Sequence, residues 1–252
     1  MGRPLGEDPI RDLEARLTRR RGDLRFGAHW SRRETARRTR IREHADAWWI
    51  QHGFDKHPAT VGKRVALALI GRPRLESKIA GITLLADPLG EHLRAADVAS
   101  FATLLAAGHL DQPNLIDWFA AKIIGPLLEP TAERAPTPGR AAWLIEWVEA
   151  SPAQRRCACH ALLPHAHDRA FASLILLVCG TAVWSHEPLD QAAIGLLLKQ
   201  LAHVEPRRVE AFVRRVAHLM SKACIRTATE PFPVALRTEL LVHWKRATRI
   251  RR

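Results

Sequence analysis

Apolar residues recur along this chain at spacings of three and four, with Ala, Leu, Arg and Glu filling the turns between them. That period places one apolar stripe on each of a series of amphipathic helices. Alternating runs of period two are hard to find, β-branched residues are sparse and Tyr is absent. The pattern predicts helices over 8–20, 32–52, 59–70, 74–86, 94–107, 113–127, 138–149, 151–163, 166–179, 188–203, 206–219 and 232–248. Prolines punctuate the joints, at 58, 73, 88, 113, 138, 152, 188, 206 and 233. Several stand where a first helical turn tolerates a missing N–H.

About a dozen helices of ~12–17 residues pair into units of roughly 35–45 residues, the period of HEAT or armadillo helical hairpins. The fold class expected is therefore all-α, a HEAT-like or armadillo-like helical-repeat solenoid, with an irregular all-α bundle as the alternative. The stretch Glu129 to Gly139 has linker composition. It is read as a longer inter-repeat connection within a single domain spanning 1–252, although it could also divide two domains. Residues near 1–8 and 249–252 are expected to be disordered.

Composition changes the picture at one point. Lys and Arg number 39 against 26 Asp and Glu, a net charge of +13. Such a balance speaks to partners and association rate, not to fold. Arg predominates, and its planar fork pairs bidentately with phosphate, though a G+C-rich genome also favours Arg. The charge is uneven: Arg16 to Arg42 holds eleven Arg with Trp30 interleaved, and the C-terminus from His243 is basic again. Stretches of this kind neutralise phosphates, or simply solvate a helix face. The partner expected of such a surface is a polyanion such as DNA, met by a monomer.

Other classes recede. Four cysteines, at 157, 159, 179 and 224, are too few and too irregular for a disulfide scaffold in 252 residues. The sequence Cys157-Ala158-Cys159-His160, followed by His165 and His167, invites a zinc reading. On a helix Cys157 and Cys159 diverge, and no second Cys-x-x-Cys pair completes a tetrahedral site, so no metal is expected. The first residues are polar and the longest apolar run, Phe171 to Cys179, is far short of a membrane span. A bacterial cytosolic or nucleoid location, with no membrane contact, is expected. The pairs Trp48–Trp49 and Trp143–Trp147 are read as core packing, whereas Trp30 is a candidate DNA-edge contact.

Against this basic background one carboxylate stands out: Asp117, in the largely apolar helical stretch Pro113-Asn114-Leu115-Ile116-Asp117-Trp118-Phe119-Ala120-Ala121-Lys122-Ile123-Ile124-Gly125-Pro126. This segment resembles the Trp-Asp-Leu-Val-Asp helix of the AlkD-like DNA alkylation repair glycosylases. A second segment, Gln191-Ala192-Ala193-Ile194-Gly195-Leu196-Leu197-Leu198-Lys199-Gln200, resembles that family's Gln-Lys-Ala-Ile-Gly-Trp helix. Pro206-Arg207-Arg208-Val209 and Leu219-Met220-Ser221-Lys222 continue the likeness. Weaker echoes are Gln154-Arg155-Arg156-Cys157-Ala158 and Glu76-Ser77-Lys78. The resemblance spans roughly residues 60–230.

The resemblance implies a curved solenoid whose concave basic face cradles duplex DNA. It also implies cleavage of the N-glycosidic bond of cationic N3- and N7-alkylated purines, without a cofactor and without flipping the base into a pocket. By position Asp117 corresponds to the family's catalytic carboxylate and Arg156 to its backbone-contacting arginine. Arg155, Lys122, Lys199, Trp30, Arg32 and Arg33 are further candidate DNA contacts. Pro113, Trp118 and Leu196 form the expected surround of Asp117. The family's two active-site Trp positions are occupied here by Pro113 and Leu196. Trp118 follows Asp117, but neighbours on a helix point about 100° apart and do not substitute for one another.

A departing cationic purine leaves positive charge on the sugar, which an ionised carboxylate stabilises while aligning or deprotonating the attacking water. Without the resemblance, Asp117 reads as a helix salt bridge to Lys122 or Arg156. Two further readings compete with the glycosylase. One is a non-catalytic HEAT-like protein that recognises distorted or branched DNA by shape, and the other a solenoid that binds an acidic protein.

Overall fold

A computed structural model describes residues 7–18, 32–129 and 142–249 of the chain. Trp30 and the side chains of Arg32 and Arg33 lie outside the described residues. Among these residues all regular structure is helical, with no strand. Fourteen helices follow in order: α1 (Glu7–Thr18), α2 (Arg32–Gln51), α3 (Ala59–Ile70), α4 (Leu75–Ala86), α5 (Val98–Ala106), α6 (Pro113–Phe119), α7 (Gly125–Leu128), α8 (Ala142–Ala150), α9 (Pro152–Ala161), α10 (Ala172–Ala182), α11 (Pro188–Ala202), α12 (Pro206–Val216), α13 (Lys222–Ala228) and α14 (Val234–Arg249). The all-α expectation holds, and the packing of many short helices fits a helical-repeat fold.

Two compact units divide the chain, Met1–Ile123 and Ile124–Arg252. The division falls just before the Glu129–Gly139 stretch expected to be the only linker-like segment. In the first unit α3 packs on α4, and α2 crosses α4. Gly81 makes the α3–α4 approach possible, since a Cβ there would sit 2.6 Å from the carbonyl oxygen of Ala66. Trp48 and Trp49 are buried, and the Trp48 indole donates to the carbonyl of Pro9 at 2.9 Å, docking α1 on α2. Both belong to the core, as the spacing predicts.

Several boundaries depart from the sequence pattern for identifiable reasons. The single helix expected over 113–127 is α6, a π-helical turn over Ala120–Ile124, and α7. Pro126 has no N–H to give the carbonyl of Lys122, and its ring clashes with that carbonyl, so the chain widens there. The helix expected at 166–179 begins at Ala172, because Asp168 caps a 3-10 turn by accepting from the Ala170 N–H at 2.9 Å. Helix α13 was not expected; Ser221 starts it, its hydroxyl accepting from the Cys224 N–H at 3.1 Å. Pro113, Pro152, Pro188 and Pro206 do occupy first helical turns.

The second unit is organised around two adjacent buried polar residues on α11. Gln191, only 2% exposed, donates to the carbonyls of Val183, Ser185 and Leu219 and accepts from the Ser221 N–H at 2.8 Å. Asp190, 3% exposed, accepts from Arg155 at 2.8 Å and from the Ser185 hydroxyl at 2.6 Å. Arg155 also donates to the carbonyl of Val148 at 2.8 Å. One node therefore joins α8, α9, α11, the turn after α10 and the segment before α13. Close approach completes it: a Cβ on Gly195 would lie 2.9 Å from the Cys224 carbonyl oxygen, against the backbone of α13. At the chain's end Trp244 donates to the carbonyl of Met220 at 2.8 Å, so part of the basic C-terminal stretch is committed to docking α14.

Two stability changes are expected from this packing. Gly195→Ala should lower the urea-unfolding free energy by about 1–3 kcal/mol, because backbone rather than a flexible side chain must yield. Arg155→Ala should cost roughly 3–5 kcal/mol, since it strands the buried Asp190 carboxylate. Urea midpoints read by circular dichroism measure both, and an unchanged midpoint for either variant would refute the corresponding contact.

Candidate functional site

Helix α6 begins with Pro113 in its first turn and buries Asn114, Leu115, Ile116 and Phe119. Phe119 meets Phe101 edge-on, the ring centroids 5.4 Å apart, which fixes the rotation of α6 about its axis. At about 100° per residue, Asp117 then points to the side opposite Leu115 and Phe119. It shares that side with Pro113, one turn earlier, and both are half-buried. The apolar stretch thus serves two purposes, with its leucine, isoleucine and phenylalanine in the core and its carboxylate on the far face. The wide turn forced by Pro126 begins immediately after this face, and Lys122 stands exposed on it.

Trp118 is half-buried and covered by Arg38 of α2, whose guanidinium carbon lies 4.4 Å from the indole centroid. Burial pushes the Arg38 pKa below its ordinary value, and the π face replaces part of the lost hydration. Sequence reasoning did not single out Arg38; it is one of eleven arginines between Arg16 and Arg42, and nothing in its spacing marks it. Other cations of the first unit are paired with acids: Arg37 with Glu76, Lys63 with Asp97 at 2.6 Å, Lys78 with Asp111 at 3.2 Å and Arg42 with Asp87 at 3.1 Å. The basic composition is therefore partly spent on internal ion pairs.

The candidate DNA contacts of the second unit are dispersed. Arg156 is half-buried on α9 and donates to the carbonyl of Leu189 at 3.3 Å. Arg155, expected beside it on phosphate, bonds to Asp190 and to the carbonyl of Val148, and these bonds join α9 to α11 and α8. Lys199 pairs with the exposed Glu230 at 2.8 Å. Leu196 is half-buried on α11, one position after Gly195. Trp143 and Trp147 lie edge-on at 4.8 Å, with Trp147 in the core.

The cysteines are free and buried. Burial raises the Cys159 and Cys224 thiols to about 12 and pushes Cys179 well above its ordinary value, so these three are not thiolates at neutral pH. No group of three or more His, Cys, Asp or Glu among the described residues is arranged to hold a metal ion. No helix of the described residues is long and apolar enough to cross a membrane.

Residues 36–232 match the family model described as DNA alkylation repair enzyme. No curated protein and no solved structure gives a significant match. The matched span includes α6 with Asp117, α9 with Arg156 and the whole Gln191–Gly195 node, and it covers well over half of the sequence. The chain belongs to the DNA alkylation repair enzyme family.

Proposed function

We propose that this protein is a DNA N-glycosylase that removes cationic N3- and N7-alkylated purines from duplex DNA, with Asp117 as its catalytic carboxylate. What supports this reading is that Asp117 lies within the span that matches the DNA alkylation repair enzyme family. It lies on the side of α6 opposite Leu115 and Phe119, half-sheltered from solvent. Partial burial strengthens a carboxylate's interaction with nearby positive charge, because the local dielectric is lower than that of water.

The chemistry asks little of the protein. The bond between the sugar's anomeric carbon and the purine nitrogen breaks with its electron pair going to the purine. The positive charge of the alkylated base is thereby neutralised, and the sugar becomes oxocarbenium-like. Asp117 stabilises that charge and orients the water whose oxygen bonds to the anomeric carbon. The water's proton passes to the carboxylate or to solvent. Arg156 holds the phosphate backbone, with Lys122 and Lys199 on the same polyanion.

Pro113 and Leu196 favour a second reading. Neither offers a π face to the sugar or to a cationic base, so the aromatic cradle implied by the resemblance is missing. A protein retaining the scaffold alone would recognise distorted or branched DNA by shape, without excision.

Two outcomes are expected. Affinity for duplex DNA should fall steeply with salt and vary little with sequence, as anisotropy titrations at several salt concentrations would show. No duplex binding at low salt would eliminate both readings. Asp117→Asn should reduce release of 7-methylguanine or 3-methyladenine by about 10²–10³-fold, with DNA affinity unchanged or improved. Equal release by wild type and variant would make Asp117 structural. Tight binding without release by wild type would establish the shape-recognition reading.

A further inference from the structure

Trp184 is the one tryptophan among the described residues that is exposed, at 61%, and no feature of the proposed chemistry uses it. It sits in the turn between α10 and α11. The backbone on both sides of it is held: the Gln191 side-chain amide donates to the carbonyl of Val183 at 3.2 Å and to that of Ser185 at 2.8 Å. The Ser185 hydroxyl is fastened in turn to the buried Asp190 carboxylate at 2.6 Å. An indole costs free energy when left in water, yet here buried polar bonds fix the very backbone that presents it. Leu177, 56% exposed and two turns earlier on α10, and Leu189, 51% exposed at the start of α11, extend the apolar surface.

Two arginines are held on the same helices. Arg156 donates to the carbonyl of Leu189, and the exposed Arg208 of α12 donates to the hydroxyl of Ser173, one turn before Leu177, at 2.9 Å. An exposed aromatic face on a unit that also presents these guanidinium groups, in a chain of net charge +13, matches a nucleic-acid strand. The guanidiniums meet phosphate, and the indole meets the π face of a base. A base inside an intact duplex has both faces covered by its neighbours, so the partner of an indole held in this way is an unpaired base.

We propose that Trp184 is a stacking platform for an unpaired nucleobase, with Arg156 and, further along the strand, Arg208 meeting its phosphates. This inference rests on the DNA-binding part of the proposed function and names the feature of DNA that the second unit prefers. It requires no excision. The held backbone means that little ordering is needed on binding, so the contact is pre-organised.

The test compares wild type, Trp184→Ala and Trp184→Phe by fluorescence anisotropy on three labelled DNAs: a perfect duplex, the same duplex with a one-base bulge, and the single strand. Wild type should bind the bulged duplex more tightly than the perfect one. Trp184→Ala should lose about tenfold on bulged and single-stranded DNA, the scale of one base–aromatic stack, with affinity for the perfect duplex nearly unchanged. Trp184→Phe should recover most of the loss. Circular dichroism checks that the variants fold, which the exposure of the side chain favours.

Equal loss on all three DNAs would overturn the proposal, as would no loss on any. Light scattering showing that Trp184→Ala converts a dimer to a monomer, with DNA affinity unaltered, would assign the surface to a second copy of this chain instead. Base release is measured separately with Asp117→Asn. Absence of release alongside a Trp184-dependent bulge preference would defeat the glycosylase reading and leave this inference standing.

Discussion

The second unit depends on the satisfaction of two neighbouring polar side chains on α11. Gln191 and Asp190 are buried, and a buried polar group without partners costs about 1–3 kcal/mol, more when charged. The Gln191 amide finds three carbonyls and one N–H, and the Asp190 carboxylate finds a guanidinium and a hydroxyl. These partners come from three places in the helical packing: the turn after α10, the segment before α13, and α9. They cannot shift independently without stranding a donor or acceptor. Apolar packing alone would tolerate sliding of one helix on another; this network does not.

That constraint accounts for which sequence signals proved informative. The helices could be read from apolar spacing because each buries one stripe, and prolines in first turns marked several starts. The Gln191–Gly195 stretch could be recognised as a family segment, but its physical meaning could not. Only the folded chain shows that Gln191 bridges a turn to the α12–α13 link and that Gly195 admits the backbone of Cys224. Helix α13 escaped notice because its seven residues carry less than two full periods. Arg155 and Arg156 illustrate the limit most sharply. They are identical in type and adjacent, yet one is committed to a buried carboxylate and the other reaches a carbonyl at the edge of α11. No local pattern separates them, since the partners lie more than thirty residues away.

At Asp117 the position was readable and its surroundings were not. A carboxylate among apolar residues marks a helix with one polar face, and the buried set of Leu115, Ile116 and Phe119 determines which face that is. The wide turn after it follows from Pro126, a residue whose effect on the preceding carbonyl is general. The Arg38–Trp118 stack is long-range in sequence and was hidden in a run of similar arginines. Trp184 was overlooked for a related reason. Its importance lies in exposure and in the bonds that hold its neighbours, neither of which periodicity reports.

Scaffold and chemistry consequently carry different evidential weight. The residues through which the chain most resembles its family include Gln191 and Gly195, whose identities are demanded by hydrogen bonding and close packing. Asp117 lies on the side of α6 opposite Leu115 and Phe119, so the packing of those two side chains does not by itself require a carboxylate there. Pro113 satisfies a helix start that many residue types could satisfy, and in doing so it removes the aromatic ring expected there. The resemblance therefore bears most directly on architecture. Whether this member cleaves DNA depends on how much an ionised carboxylate accomplishes without an aromatic cradle. A cationic base lowers that requirement, since it leaves as a neutral purine and needs no general acid. The positive charge then left on the sugar is the one that a lone aspartate is suited to stabilise.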